Sequence, residues 1–453
     1  MSTKFFLVIL AIMLALTAAI GIVAPISENA AARATAAIAD VDDVWRAALP
    51  RDPTAATAAY MARLSPLAKA QSDAYFEGGY WLRLLSFVAT LLACLVLLAA
   101  RTLQRIGTAI ERTPLRRLQS VIVPMAFILL LTLLTAPLEV YQGFYREHAY
   151  GLANQSFGAW LGEQAISTAI GCVVGGLFLA AIWRLLSQAP QRWWIWGTGV
   201  SVLFLVVGLM FGPVYIDPLF NTYKPLSDGP IKAAILSMAR ASGVPADNVY
   251  QVDSSRQSNR ISANVSGIFG SAAIRLNDNL LKRTSLAEIK GVMGHELGHY
   301  VLNHIYKMLL AFGLIIGVGF AFLNWSMHAS IRRWGSAWAI SGPADPAALP
   351  LFAVLFSLYF LLMTPVVNSQ IRIDETEADI FGLNAAAEPN GFAEVDLKLT
   401  EYRKSDPGDL EEFLFFDHPS PRKRIYSAMR WRAEHMPPGA LTQQPPAVPT
   451  APK

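Results

Sequence analysis

Charge is scarce in this chain: Asp, Glu, Lys and Arg make up 15% of its 453 residues, against 54% hydrophobic. That is too little polar surface for a soluble enzyme of this length, so the bilayer must be its main solvent. Dense Lys/Arg runs interleaved with stacking aromatics are missing as well. The formal charge of +4 therefore fits an anionic membrane surface, and no nucleic-acid partner is expected. Cysteine is nearly absent. Cys94 and Cys172 both fall in apolar runs, which excludes a disulfide framework, and neither has a Cys or His neighbour at ligand spacing, which argues against thiolate metal binding. No internal repeat is visible.

What is plentiful is apolar sequence in runs. Seven stretches approach the roughly 20 residues a helix needs to cross a bilayer: 5–23, 81–100, 119–138, 165–186, 193–216, 308–327 and 349–368. The first follows Lys4. A cleaved signal peptide would read similarly, but the run is long for one and lacks a clear A-x-A site, which favours an uncleaved span. Loop charge supports the count: 101–118, 184–192 and 328–348 carry excess arginine and alternate with the net-negative segments 24–80 and 139–164. The positive-inside rule then puts the amino terminus in the cytoplasm and the acidic segments outside it. Two larger polar regions, 217–307 and 369–435, fall on one side because two spans separate them. The chain thus divides into five spans with a polar loop at 24–80 (1–216), one half of a polar domain (217–307), two spans (308–368), its second half (369–435) and a Pro-rich tail (436–453) without apolar periodicity, expected to be flexible.

Within 217–307, Asn248–Val252 and Ala272–Leu276 read as short strands. Ser285, with Glu288 three residues later, opens a helix as a capping box. That helix carries Gly294-His295-Glu296-Leu297-Gly298-His299. Histidines four apart project from one helical face and can bind one zinc, and the glutamate between them can take a proton from water beside the metal. With only seven histidines in the chain, a chance H-E-x-x-H is rare. A catalytic zinc takes three protein ligands and keeps one position for water. The best further donor is Glu375, in Asp374-Glu375-Thr376-Glu377-Ala378-Asp379. Glu375 and Asp379 share a helical face, and Asp379 is spaced to accept a hydrogen bond from a ligand histidine. A solvated acidic face where the helix leaves the bilayer is an equally good reading of that spacing.

The two motifs together resemble the CAAX prenyl protease 1 family of integral-membrane zinc endopeptidases. That family has seven spans, its first motif between the fifth and sixth and its second after the seventh, and this sequence matches both placements. The resemblance implies that Glu375 is the third ligand, with Asp379 supporting a ligand histidine. His418-Pro419 followed by Arg424 is similar to the family's His-Pro and Arg pair, which implies that His418 and Arg424 steady the oxyanion or substrate. Ser262–Gly267 loosely resembles an Asn-containing segment preceding an edge strand that holds substrate, making Asn264 a substrate-binding candidate. His304 reads as a polar residue at the membrane boundary and Glu288 as a helix cap.

The expectation is a mainly α chain, a seven-transmembrane-helix bundle capped by an α-rich zinc-peptidase domain with a few short strands. It is expected in the membrane as a multi-pass protein, the inner membrane if bacterial. It should hold one zinc and hydrolyse peptide bonds of membrane-associated or prenylated substrates through water activated by Glu296. Broad-specificity clearance of membrane proteins is an alternative. A transporter or chaperone with structural zinc is a weaker one, because a structural site has no use for Glu296. In the eukaryotic members of the family the active site faces the cytosol, whereas the short-loop charges here place it on the opposite side.

Overall fold

The computed structural model describes residue 38 and residues 41–267 and 271–437. The expected span 5–23 and all but two residues of the tail 436–453 lie outside the described residues. Helices dominate. The first half of the chain comprises α1 Asp43–Ala48, α2 Pro53–Met61, α3 Pro66–Ala99, α4 Thr102–Glu111, α5 Gln119–Val140, α6 Phe157–Gln188 and α7 Trp193–Phe211. Helix α5 runs on through a π-helical turn, Tyr141–Tyr145, into Arg146–Ala149. Next come β1 Tyr223–Pro225, α8 Pro230–Ala241, β2 Val249–Val252, β3 Ala263–Ser266, β4 Ala273–Asn277, α9 Asp278–Arg283 and α10 Leu286–Val301. The chain ends with α11 His304–Trp338, α12 Leu349–Ala386, α13 Pro389–Leu399, α14 Asp409–Phe415 and α15 Pro421–His435.

Among the described residues six helical segments are long and apolar enough to cross a membrane: Pro66–Ala99, Pro114–Ala149, Phe157–Gln188, Trp193–Leu219, His304–Trp338 and Pro346–Ala386. Each contains one of the remaining six apolar runs, the run at 81–100 ending one residue beyond its helix. They are longer than the runs. The 38 residues of α12 span about 57 Å at 1.5 Å per residue, whereas the hydrocarbon core is about 30 Å thick. No break occurs at residue 369; the seventh expected span rises out of the bilayer as one helix and carries Glu375 and Asp379 with it. The bundle is locked by a buried aromatic group, Trp193, Phe320 and Phe352, and by the Trp193 indole N–H donating to Asn324 Oδ1 at 2.8 Å.

The polar layer is built on a four-stranded sheet of order β1-β2-β4-β3, with β2 and β4 parallel and the other pairs antiparallel. Ile289, Met293 and Leu297, four apart on α10, are fully buried with Ile274 and Leu276 of β4. That spacing turns one face of α10 to the sheet and leaves the histidine face for α12. The segment 24–80, expected as a loop, supplies α2, whose Tyr60 packs with Phe392, Ile425 and Met429. Tyr60 also donates to Asn390 Oδ1 at 3.1 Å, and Arg63 pairs with Glu394 at 2.8 Å. Segment 139–164 is tied to the same layer through Glu163 with Arg256 and Glu147 with Arg260. All four polar segments therefore sit on one side of the bundle.

Candidate metal centre and cleft

The capping box at the start of α10 forms: the Glu288 N–H donates to Ser285 Oγ at 3.4 Å and the Ser285 N–H to Glu288 Oε2 at 2.7 Å. It satisfies helix-end donors and fixes where the first turn begins. Two turns later His295, Glu296 and His299 emerge. Their approach to α12 depends on glycine. A Cβ on Gly382 would lie 2.6 Å from His295 N, and one on Gly294 would lie 2.8 Å from Gly382 O. Only hydrogen at these positions lets the backbones close, and closure carries the α12 carboxylates to the histidines.

Glu375 Oε2 lies 3.2 Å from His295 Nε2 and Glu375 Oε1 lies 3.4 Å from His299 Nε2, while the two Nε2 atoms are 3.0 Å apart. Donors held about 2.0–2.2 Å from one tetrahedral zinc lie roughly 3.3–3.6 Å from each other, so the triangle is close to metal size. Glu375 Oε2 is buried, with His295 Nε2 at 3.2 Å and His418 Nε2 at 3.3 Å. Burial depresses the His295 imidazole, but hydrogen bonds to Asp379 and Glu375 outweigh it and push its pKa up to about 10. The site thus holds a negative field that a cation would relieve. Two histidine nitrogens and one carboxylate, with a cavity on the remaining side, fit a catalytic zinc site.

Asp379 stands behind His295. His295 Nδ1 lies 2.7 Å from Asp379 Oδ1, so Nε2 is the nitrogen turned to the triangle. Arg424, from α15, donates through Nε to Asp379 Oδ2 at 2.8 Å and through its terminal nitrogens to Asp379 Oδ1 and to Asp396 Oδ1, the latter at 2.9 Å. Burial works against its charge, and the two carboxylates more than offset that, raising its pKa. The guanidinium expected to face substrate is thus largely committed to two buried carboxylates, with an edge on the cavity.

His304 is a site residue the sequence reading passed over. Asn303 takes a left-handed conformation, φ 58°, which asparagine tolerates better than most residues. This ends α10 and folds the chain so that His304, 1% exposed, meets the motif helix again. Its Nδ1 lies 2.8 Å from His299 Nδ1 and its Nε2 lies 3.1 Å from Glu377 Oε2. The line from His299 through His304 to Glu377 fixes the second histidine's tautomer as Asp379 fixes the first. The only sequence signal was one more histidine five residues past the motif. His304, Asp374 and Glu377 also cluster as possible metal donors, but Lys307 Nζ already sits 2.5 Å from Glu377 Oε2 and supplies the cation there.

A cavity of about 240 Å³ opens beside the triangle, lined by Glu296, His418, Ser262, Ala263, Phe392 and Val395 among others. Burial pushes the Glu296 carboxyl up from its ordinary value against the pull of both histidines. His418 reaches the rim, Nε2 3.3 Å from Glu375 Oε2, with Nδ1 held by Asp417 Oδ1 at 2.8 Å. The segment expected to precede an edge strand is the edge strand itself. The Asn277 N–H donates to Ser262 O at 3.0 Å; antiparallel alternation then pairs Asn264 and Ser266 inward and directs the N–H and C=O of Ala263 and Val265 to the free edge. Ser262 and Ala263 border the cleft, and Asn264 is exposed on the strand outside it.

Comparison with known proteins agrees with this geometry. The model of peptidase family M48 matches residues 225–432, and that of the CAAX prenyl protease N-terminal region, five membrane helices, matches residues 57–222. The chain is similar to the uncharacterized metalloprotease YhfN of Bacillus subtilis, 32% identical over 74% of this chain and 79% of the relative. It is also similar to CAAX prenyl protease 1 of Saccharomyces cerevisiae, 28% identical over 65% and 68%. Its fold resembles S. mikatae Ste24p, with a TM-score of 0.66 at 21% identity, covering 93% of this chain and 99% of that one.

Proposed function

The chain belongs to peptidase family M48 as a membrane-embedded, metal-dependent endopeptidase, and from that premise we propose that zinc is its metal and that it cuts membrane-associated peptides, prenylated CAAX-type carboxyl termini among them. His295, His299 and Glu375 would hold the zinc, which when bound polarises the scissile carbonyl and makes water acidic. The peptide lies extended along the free edge of β3, held by the backbone groups of Ala263 and Val265, a mode that tolerates varied side chains. Glu296 takes the proton of the attacking water and passes it to the leaving amine. His418 donates its Nε2–H to the carbonyl oxygen as negative charge develops there, and Asp417 stabilises the ring that donates. Arg424 acts one step back, by holding Asp379 against His295.

What carries this reading is the convergence of three donors at zinc spacing with Glu296 on the open side. The test is Glu296→Gln in detergent, with a quenched peptide and metal analysis. Metal content should stay near one per chain while kcat falls by about 10²–10⁴-fold. Full activity with the metal bound would refute the assignment. Broad cleavage of membrane proteins uses the same groups; comparing prenylated and unprenylated forms of one peptide separates the two substrate classes.

A further inference from the structure

The walls of the cleft that the chemistry leaves unused come from α10 and α13. Val292, Phe392, Val395 and Leu399 give the cavity an apolar side, and Asp396 lies on the same helix as the last three. Among the described residues lining the cavity, Asp396 is the only carboxyl besides Glu296. It is 2% exposed. Its Oδ1 lies 2.9 Å from Arg424 Nη1, whereas Oδ2 is buried without a hydrogen-bond partner among the described residues. Arg403, also on the cavity, pulls on the carboxyl through space. A buried carboxyl oxygen is rarely left unpaired, because it has given up its hydration. One that borders a substrate cavity is placed to be paired by what enters.

Charge says what can enter. An ammonium or guanidinium would meet Arg424 and Arg403, and a carboxylate would meet Asp396 and Glu296. A neutral donor avoids both repulsions. Burial raises the Asp396 pKa to about 7, so the carboxyl can take a neutral partner with little charge to balance. The apolar walls call for a short carbon shaft beneath that donor. Valine would fill the walls and seal Oδ2 in unpaired. Threonine fills the same volume and pairs it.

We propose that Asp396 is a specificity-determining residue: the cleft receives, beside the scissile bond, a short side chain ending in a neutral donor, and Asp396 Oδ2 accepts its hydrogen bond. The enzyme then prefers threonine to valine, and serine to its isostere α-aminobutyrate, at that position. This rests on the reading of the cavity as the place where the peptide is cut.

The test uses the full-length metal-loaded enzyme and a quenched peptide whose cut is located by mass spectrometry. The peptide is made with threonine or valine at each residue flanking the cut. At one of the two positions the threonine form should show the higher kcat/KM, by about tenfold, for a difference of one hydroxyl. Asp396→Leu should bring the ratio to one or below, and Asp396→Asn, whose amide oxygen still accepts, should keep most of it. Both variants cost Arg424 a carboxylate and should slow the two peptides alike, so the ratio separates selection from a merely structural role. Asp396→Ala serves, with the same expectation, where Asp396→Leu does not fold. Equal cleavage of the two forms by the wild type at both positions, or a ratio that survives in Asp396→Leu, overturns the proposal and leaves the peptidase reading standing. If neither form is cut, the peptidase reading fails, and calorimetry with two hydroxamate peptides differing only in threonine for valine still decides the pocket. Tighter binding of the threonine form supports it, and equal binding overturns it.

Discussion

The two ends of α12 invert the ordinary rule of burial. At the membrane end Leu362 and Val366 are 66% and 49% exposed, while at the polar end Asp374, Glu375 and Asp379 are 2%, 6% and 3% exposed. The solvent differs between them. Hydrocarbon gives an apolar side chain nothing to avoid, so a span's surface remains apolar and open to lipid. In the polar layer a carboxylate is buried only where donors or cations meet it, and Arg424, His295 and the metal donors do so. Hydropathy therefore says which solvent an element faces, and the partners of its buried polar groups say where chemistry is done.

That contrast predicts unequal sensitivity to the same change. Gly382→Ala places a Cβ 2.6 Å from His295 N, so the α10–α12 seam must open. Metal affinity, read by chelator competition, should fall by 100-fold or more, as roughly expected when ligand geometry is lost. Gly199→Ala, in the membrane-spanning α7 with nothing within 4 Å of its Cβ, should leave that affinity unchanged. Equal effects would sink the claim that the seam sets the site.

Asp379→Asn should weaken metal binding by about 10–100-fold, because it removes the anion that both orients His295 and neutralises Arg424. Unaltered binding would mean that Arg424 alone holds the ring. A smaller loss, about tenfold, is expected for His304→Ala, with partial recovery in His304→Gln, whose amide can still accept from His299. No recovery would reduce His304 to packing.

Asp396 gives a pH signature. Burial pushes its pKa up to about 7 against the pull of Arg424, whereas the unfolded carboxyl ionises near about 3.9. The folded chain binds the extra proton between those values. Its contribution to stability is therefore full at acid pH and lost as pH rises through 7. Unfolding of chelator-treated protein across roughly pH 5–8 should show a downward slope that Asp396→Asn flattens. An unchanged slope would assign it to another group. The smallest effect is expected at the membrane end: Leu362→Ala should shift stability by no more than about 0.5 kcal/mol, and a loss of core size would mean that Leu362 faces protein.

Much of this was legible from sequence because it is local. Apolar runs locate the spans, since crossing a bilayer demands length and composition and nothing distant. The H-E-x-x-H spacing puts His295, Glu296 and His299 together, since a helix repeats every 3.6 residues. The capping box marks the start of that helix for the same reason. Glu375 and Asp379 were legible as a pair on one face, and only the family resemblance implied the roles of ligand and support. Spacing could not separate them from a solvated acidic face.

Tertiary structure decided what depends on distant segments meeting. It brought Glu375 between two histidines some 80 residues earlier, across a seam that Gly294 and Gly382 allow to close. It committed Arg424 to Asp379 and Asp396, turned His304 back onto His299, and set Ser262 and Ala263 at the cleft with Asn264 outside it. The sequence by itself determined that this protein lives in a bilayer and carries a pair of histidines fit for a metal, because both are properties of single helices. Only the fold shows which carboxylates stand against those histidines, because that follows from how closely two helices approach.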